Sequence, residues 1–225
     1  MRDLVCLVAD KNMQAALKGI LSRPQSLGIR PISFETIVHP RRDPGCFHES
    51  PELLQGYSRD TAHATVLLDL QWAGSPSTAT EAENAVEKRL QESSRAGWAR
   101  AVVIDPELEV WLFAEAPHLE AALGWAGREP SLRSALDSNG LWPRSLVKPA
   151  DPKRAVEWAL RKVAKPRSSS IYRDVADRTS LARCGDRSFL RLKEILRGWF
   201  PTREIGAEAS HGPDSRGTRR QHDRT

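Results

Sequence analysis

Cysteine is scarce in this chain of 225 residues, which contains three copies at distant positions. An odd number of widely spaced cysteines does not form a disulfide framework, so disulfides are excluded as the basis of the fold. Cys6 lies inside an apolar run, and we therefore expect its thiol to be part of the core.

Long hydrophobic runs are absent as well. No apolar stretch approaches ~18 residues, the length at which a segment becomes a candidate membrane-spanning helix. The N-terminal segment MRDLVCLVAD has an apolar run too short for a secretory signal, and an acid interrupts it. We therefore expect a cytoplasmic protein that has no contact with a membrane.

The motifs of two common enzyme classes are missing too, since the chain has neither a glycine-rich phosphate loop nor a G-x-S-x-G nucleophile elbow. Charge is present instead. Charged residues make up 28% of the chain, the net charge is +5, and arginine dominates the basic residues. Because arginine suits phosphate and carboxylate recognition better than lysine does, this composition permits nucleic-acid binding without requiring it.

The first half of the chain alternates between strand and helix patterns. Apolar or alternating segments predict four strands, at residues 4–9, 32–38, 65–70 and 101–104. Helical spacing predicts three helices, at residues 11–21, 81–92 and 108–125. This order predicts an α/β fold with a mostly parallel sheet flanked by helices.

The second half of the chain predicts helices without further strands. The helix signals lie at residues 151–163, 171–176 and 188–199. We therefore divide the chain into an α/β domain at 1–125, a helical C-terminal region at 126–200 and a tail at 201–225. The tail has almost no large apolar residues to offset its ordering entropy, so we predict that it is disordered.

Acidic residues recur at the ends of the predicted strands. Asp10 follows the first strand, Asp69 lies in the third, and Asp105, Glu107 and Glu109 follow the fourth. Ligands of parallel α/β sheets bind beyond the carboxyl ends of the strands, and Mg²⁺ takes oxygen ligands while keeping several waters. The alternative is that these acids begin helices, where Asp and Glu are favoured.

The second strand is followed by HPRRDPGCFH, residues 39–48. Two histidines and a cysteine in this segment raise the question of zinc, but their spacing is wrong and no second ligand pair is nearby. We predict an exposed loop instead, in which Arg41 and Arg42 either contact phosphate or remain solvated.

The segment DPELEVWL, residues 105–112, carries a resemblance to a known family. A strand followed by an acid and a helix, a later strand with Asp69, and a Pro-Glu-x-Glu-x-Trp-Leu signature resemble the Toprim-like uncharacterised family of bacterial defence islands. Its relatives are the Toprim domains of topoisomerases, primases and overcoming-lysogenization-defect nucleases. The Ser-Phe segment before the last helix of the family is matched by DRSFLRL at 186–192. The resemblance spans roughly residues 3–200.

The resemblance implies a Toprim-like α/β domain over residues 1–125 with a helical C-terminal region. It implies a nuclease-type site that uses Mg²⁺ or Mn²⁺ on DNA or RNA. The residues concerned are Asp69, Glu107 and Glu109 for the metal, Asp10 and Glu109 for catalysis, and Arg41 and Arg42 for nucleic-acid phosphates. Members of the family are encoded next to genes of other defence proteins. This implies a role in phage defence together with such proteins, as in a methylation-associated defence system.

Two departures from the family pattern favour a second hypothesis. Val8-Ala9-Asp10 stands where the family has Val-Glu-Gly, and Gln71 replaces the second acid of its Asp-x-Asp. The alternative is therefore a catalytically inactive Toprim-like subunit that binds no metal and recognises a partner defence protein or a nucleic acid. A third hypothesis is an unrelated small-molecule α/β enzyme, which a sizeable apolar pocket away from the acids would favour.

Overall fold

Four parallel strands form one sheet at the centre of the structure, in the order β2-β1-β3-β4. The computed structural model describes residues 1–93, 97–114, 116–181 and 184–202. The strands are β1 Arg2–Val8, β2 Phe34–Val38, β3 Thr61–Asp69 and β4 Ala99–Ile104. The predicted α/β class with a parallel sheet is confirmed, and the carboxyl ends of all four strands lie at the same edge.

Helices follow and flank these strands. Their bounds are α1 Lys11–Leu21, α2 Pro24–Leu27, α3 Arg42–His48, α4 Ser50–Gln55, α5 Ala79–Ser93, a 3₁₀ helix Leu108–Ala114, α6 Ala116–Leu123, α7 Leu132–Ser138, α8 Pro152–Lys162, α9 Ser169–Arg178 and α10 Arg187–Trp199. In the part of the chain that the structure describes, each helix is too short or too polar to cross a membrane.

The core of the sheet follows the apolar runs of the sequence. Residues 4–8 of β1 are completely buried, which confirms that Cys6 is a core residue. β3 begins four residues before the apolar run at 65–70, because a tertiary contact covers its polar part. The ring of His63 stacks on Trp199 of α10, with 4.3 Å between the ring centroids.

The segment 39–48 is not the exposed loop that its composition predicts. Residues 42–48 form α3, and Cys46 and Phe47 are buried in the core. His39 is also buried, and its ring lies against Gly45, where an added Cβ would come within 2.0 Å of Nδ1 of His39. The loop prediction was wrong because two buried side chains in seven residues give too little periodicity to indicate a helix.

The single helix predicted at 108–125 is divided in two. Residues 108–114 form a 3₁₀ helix and residues 116–123 form α6. Pro117 explains the division, because proline has no backbone N–H to donate and is tolerated in the first turn of a helix but not in its interior.

The helical region packs directly on the sheet domain. α9 lies against α1, and α10 lies against β4. Trp111 of the 3₁₀ helix donates from Nε1 to Oγ of Ser188 across 2.8 Å, which ties that helix to the start of α10. The predicted disordered tail lies outside the described residues, except for Pro201 and Thr202.

Candidate functional site

The order of the strands creates a cleft at their carboxyl edge. The chain leaves β1 towards β2 and leaves β3 towards β4, so the connections diverge and a crevice opens between the ends of β1 and β3. Asp10 follows β1 and Asp69 ends β3, so these two residues flank the crevice. The resulting cleft, called the acid cleft below, has a volume of about 90 Å³.

The acid cleft brings together charged residues from six segments of the chain. Its acids are Asp10, Asp43, Asp69, Glu107 and Glu109, and its cations are Arg42, Lys153 and Arg167. The four acids to which the resemblance assigns a role therefore share one site, and Arg42 joins them. Arg41 does not, since its exposed side chain forms an ion pair with Glu49.

Asp69 connects three segments of the cleft. Its Oδ1 accepts a 2.9 Å hydrogen bond from the backbone N–H of Leu108, and its own N–H donates to Oδ1 of Asp43 across 2.8 Å. Burial raises the pKa of Asp69 well above its usual range, and the nearby charges of Asp43, Glu109 and Glu107 raise it further. Asp69 is thus a carboxylate whose ionisation the fold opposes.

Asp43 is a site residue that the sequence did not reveal. Burial also raises its pKa, and the charge of Asp10 acts in the same direction. Ligands of parallel sheets bind beyond the carboxyl ends of the strands, which is called the strand-end rule below. Asp43 follows β2 just as the other acids follow or end their strands, so this rule applies to it. The incorrect prediction of a loop concealed its position at the start of α3.

Glu107 is neutralised by a lysine of α8. The Nζ of Lys153 donates to Oε1 of Glu107 across 2.5 Å, and Glu107 is buried. Burial of Lys153 lowers its pKa, but the hydrogen bond and the charge of Glu107 more than offset this effect, so the pKa is raised. Lys153 therefore stays charged as the counter-ion of Glu107.

Glu109 is held by two donors from the helical region. Its Oε1 accepts a 2.6 Å hydrogen bond from the hydroxyl of Tyr172 and forms an ion pair with Arg167. Burial raises the pKa of Tyr172, and the charge of Glu109 raises it further, so the phenol remains a donor. Arg167 also donates from Nε to the Tyr172 oxygen across 3.0 Å, which closes a three-residue network.

Asp10 and Gln71 occupy the positions where the sequence departs from the family pattern. Oδ1 of Asp10 accepts a 2.8 Å hydrogen bond from the backbone N–H of Met13, so Asp10 caps α1 as the alternative interpretation expected. One carboxylate oxygen is engaged in this way, and Asp10 nevertheless lines the acid cleft. Gln71 also lines the cleft and contributes a neutral amide.

The donor chemistry of the acid cleft suits a hydrated hard cation. Across the described ranges, no group of three or more His, Cys, Asp or Glu side chains is arranged to hold a metal ion. Glu107 and Glu109 are already neutralised, whereas Asp43 and Asp69 form no ion pair within those ranges. Two carboxylates fit Mg²⁺, which typically binds through one or two carboxylates together with waters and substrate phosphates.

Comparisons of the chain with models of known protein families, with curated proteins and with solved structures found no match. The function of the protein must therefore be inferred from the chemistry of the acid cleft.

Proposed function

We propose that the acid cleft binds a divalent cation together with a phosphodiester, and that the protein is a Toprim-like, nuclease-type component of phage defence. The observation that carries this proposal is the contact between Asp69 and Asp43 at the diverging strand ends. Buried like charges without an ion-pair partner reduce stability and occur preferentially at functional sites. A cation from solution would compensate them.

The roles follow from how each side chain is already engaged. Asp43 and Asp69 hold Mg²⁺ or Mn²⁺, because neither of them has an ion-pair partner in the described part of the chain. A metal ion held there would act as a Lewis acid and would lower the pKa of a bound water. Asp10 accepts a proton through the oxygen that does not cap α1, and Arg42 contacts phosphate.

The roles of Glu107 and Glu109 as metal ligands, which the resemblance implies, require that their present partners move. Lys153 and Arg167 would exchange these carboxylates for the phosphates of the substrate. Cations that stabilise the charge of a phosphodiester during cleavage are common in such sites. The two ion pairs therefore keep the glutamates in place until substrate binds.

The Toprim-like assignment is supported by the arrangement of the acids on the sheet. Acids follow β1, end β3 and follow β4, and they line the same cleft; Asp69, Glu107 and Glu109 match the family pattern, whereas Asp10 and Gln71 depart from it. The assignment to phage defence, with partners from a methylation-associated defence system, rests on the resemblance of residues 105–112 and 186–192.

A second candidate function is a catalytically inactive Toprim-like subunit that binds a partner defence protein or a nucleic acid. The observation that favours it is the neutralisation of Glu107 and Glu109 by Lys153 and Arg167. Cations of the protein itself would then replace the metal permanently, and the neutral Gln71 is consistent with such a site.

A small-molecule enzyme with an apolar substrate pocket away from the acids is the least supported function. The apolar cavity beside Trp111, Tyr172 and Phe189 has a volume of about 30 Å³. This volume is far below the range of small-molecule sites. The cavity is therefore too small to hold a substrate.

A cleavage assay separates the first two candidates. Labelled DNA and RNA are incubated with Mg²⁺ or Mn²⁺ and with the protein, its Asp43→Asn/Asp69→Asn variant, or Asp177→Asn. Asp177 is a suitable control because it is exposed and pairs with Arg173 on the surface of α9. Cleavage that the double variant loses and the control retains supports the enzyme.

The inactive subunit predicts another outcome of the same experiment. No protein would cleave either substrate, yet the unmodified protein would bind nucleic acid or retain a co-expressed partner that is encoded nearby. Binding that survives in Asp43→Asn/Asp69→Asn would then exclude a metal-dependent role of the acid cleft.

A further inference from the structure

A second pocket lies beside the acid cleft, between the carboxyl ends of β1 and β2. Its volume is about 450 Å³, within the range of roughly 300–1,000 Å³ that is typical of small-molecule sites. The pocket shares Asp10, Asn12 and Arg42 with the acid cleft, so the two are continuous. A ligand that fills this β1–β2 pocket would extend to the acids.

The cations around the two pockets are of two kinds. Lys153 and Arg167, on the side of the helical region, are each ion-paired with a buried glutamate. Lys11 and Arg42 line the β1–β2 pocket, and neither side chain forms a hydrogen bond or ion pair with any described residue. Uncompensated positive charge is therefore concentrated on the β2 side of the acids.

The backbone holds Arg42 at the boundary between the two pockets. Its φ angle is +52°, a left-handed conformation that an arginine rarely adopts and that costs on the order of 1 kcal/mol or more. A hydrogen bond of 3.1 Å from the Arg42 N–H to the His39 carbonyl supports this turn, and His39 itself is buried. The surrounding structure thus fixes the backbone position from which the Arg42 side chain extends.

We propose that the β1–β2 pocket binds the nucleotide next to the cleavage position, with Lys11 and Arg42 as the ligands of its phosphate. This inference rests on the proposed function, since it takes the phosphodiester in the acid cleft as its starting point. Charge decides the direction, because a polyanion approaches the side where the pocket cations have no ion-pair partner among the described residues. A single strand of nucleic acid enters over the end of β2 and places one phosphate at Lys11 and Arg42.

Binding without metal tests this proposal separately from cleavage. Fluorescence anisotropy in EDTA would measure the affinity of a short single-stranded oligonucleotide, with and without a 5′-phosphate, at several salt concentrations. The Lys11→Gln/Arg42→Gln variant is compared with Lys18→Gln/Arg41→Gln. The control pair removes Lys18 of α1 and Arg41, the residue before Arg42. Both side chains are exposed and lie outside the pocket. The two double variants have the same net charge, because each loses one lysine and one arginine.

The pocket variant is expected to bind the oligonucleotide at least ten-fold more weakly than the control variant. The slope of log affinity against log salt should decrease by about 0.7, because Lys11 and Arg42 share one phosphate and each phosphate contact with a single strand contributes about 0.7. The single variant Arg42→Lys should keep most of the affinity of the unmodified protein, because lysine retains the positive charge. Equal affinities or equal salt slopes for the two double variants would overturn the proposal.

The outcome is independent of whether the protein cleaves its ligand. Loss of binding in the pocket variant together with no cleavage by any variant would reject the enzyme and retain the nucleotide subsite. Metal-dependent cleavage with unchanged binding in the pocket variant would reject the subsite and retain the enzyme.

Discussion

The backbone N–H of Asp69 donates a 2.8 Å hydrogen bond to the carboxylate of Asp43. This contact joins the end of β3 to the start of α3. Burial raises the pKa of both acids, the charge of Asp43 raises that of Asp69 further, and the charge of Asp10 raises that of Asp43. The backbone of the protein therefore maintains a charge arrangement that opposes folding at neutral pH. Such an arrangement is expected where a ligand supplies the missing charge.

Asp69→Asn is expected to make the metal-free protein more stable at pH 8. The folded-state pKa of Asp69 is raised above its unfolded value of 3.8, so its contribution to stability is greatest in acid and is lost as the pH rises through the raised pKa. Asparagine resembles the protonated acid and still accepts from Leu108. Thermal denaturation in EDTA should show a gain of about 1 kcal/mol, or roughly 2–4 °C in Tm for a chain of this size.

The same measurement at pH 4 and with Asp177→Asn provides the controls. The difference between Asp69→Asn and the unmodified protein should shrink at pH 4, where the unmodified acid is protonated in the folded state. Asp177→Asn should leave Tm unchanged at both pH values, because its ion pair with Arg173 is exposed. A lower Tm for Asp69→Asn at pH 8 would contradict the charge argument.

Tyr172→Phe is expected to destabilise the protein through Glu109. The substitution removes the 2.6 Å hydrogen bond to a buried carboxylate and also the acceptor for Nε of Arg167. Hydrogen bonds to charged groups contribute about 1.5–3 kcal/mol, so urea denaturation should show a loss of this order in the free energy of unfolding. Tyr57→Phe, at a half-buried position in the turn after α4, should reduce the free energy of unfolding by less than about 0.5 kcal/mol. Equal effects of both substitutions would show that the hydroxyl of Tyr172 is dispensable.

Gly45→Ala is expected to displace α3 and with it Asp43. The added Cβ would lie 2.0 Å from Nδ1 of the buried His39, and overpacking of this kind costs typically about 1–3 kcal/mol. Gly56→Ala is the matched control, because no atom lies within 4 Å of the Cβ position there. Thermal denaturation should separate the two variants, and a Gly45→Ala protein as stable as Gly56→Ala would refute the packing of His39.

The strand-end rule predicted much of the site but not its counter-charges. Asp10, Asp69 and the glutamates were identifiable because each acid follows or ends a strand that is visible as an apolar run. Lys153 lies 46 residues from Glu107 in the chain. No local pattern connects residues at such a distance, so their pairing depends on how the helical region packs on the sheet.

The position of Asp43 was hidden for a different reason. α3 contains a proline and a glycine and buries little more than Cys46 and Phe47, so its sequence has the composition of a loop. The helix forms because Phe47 packs beneath Arg89, whose guanidinium lies 4.6 Å from the ring centroid and donates to the Phe47 carbonyl. Tertiary contacts therefore override a weak local preference here.

Titration of the protein with Mn²⁺, followed by electron paramagnetic resonance of the free ion, tests most directly whether Asp43 and Asp69 hold a divalent cation. The account predicts that the unmodified protein and Asp177→Asn bind Mn²⁺ with the same affinity, that Mg²⁺ competes for the site, and that Asp43→Asn/Asp69→Asn loses the binding. Equal binding by the double variant, or no binding by the unmodified protein at any Mn²⁺ concentration tested, would contradict it.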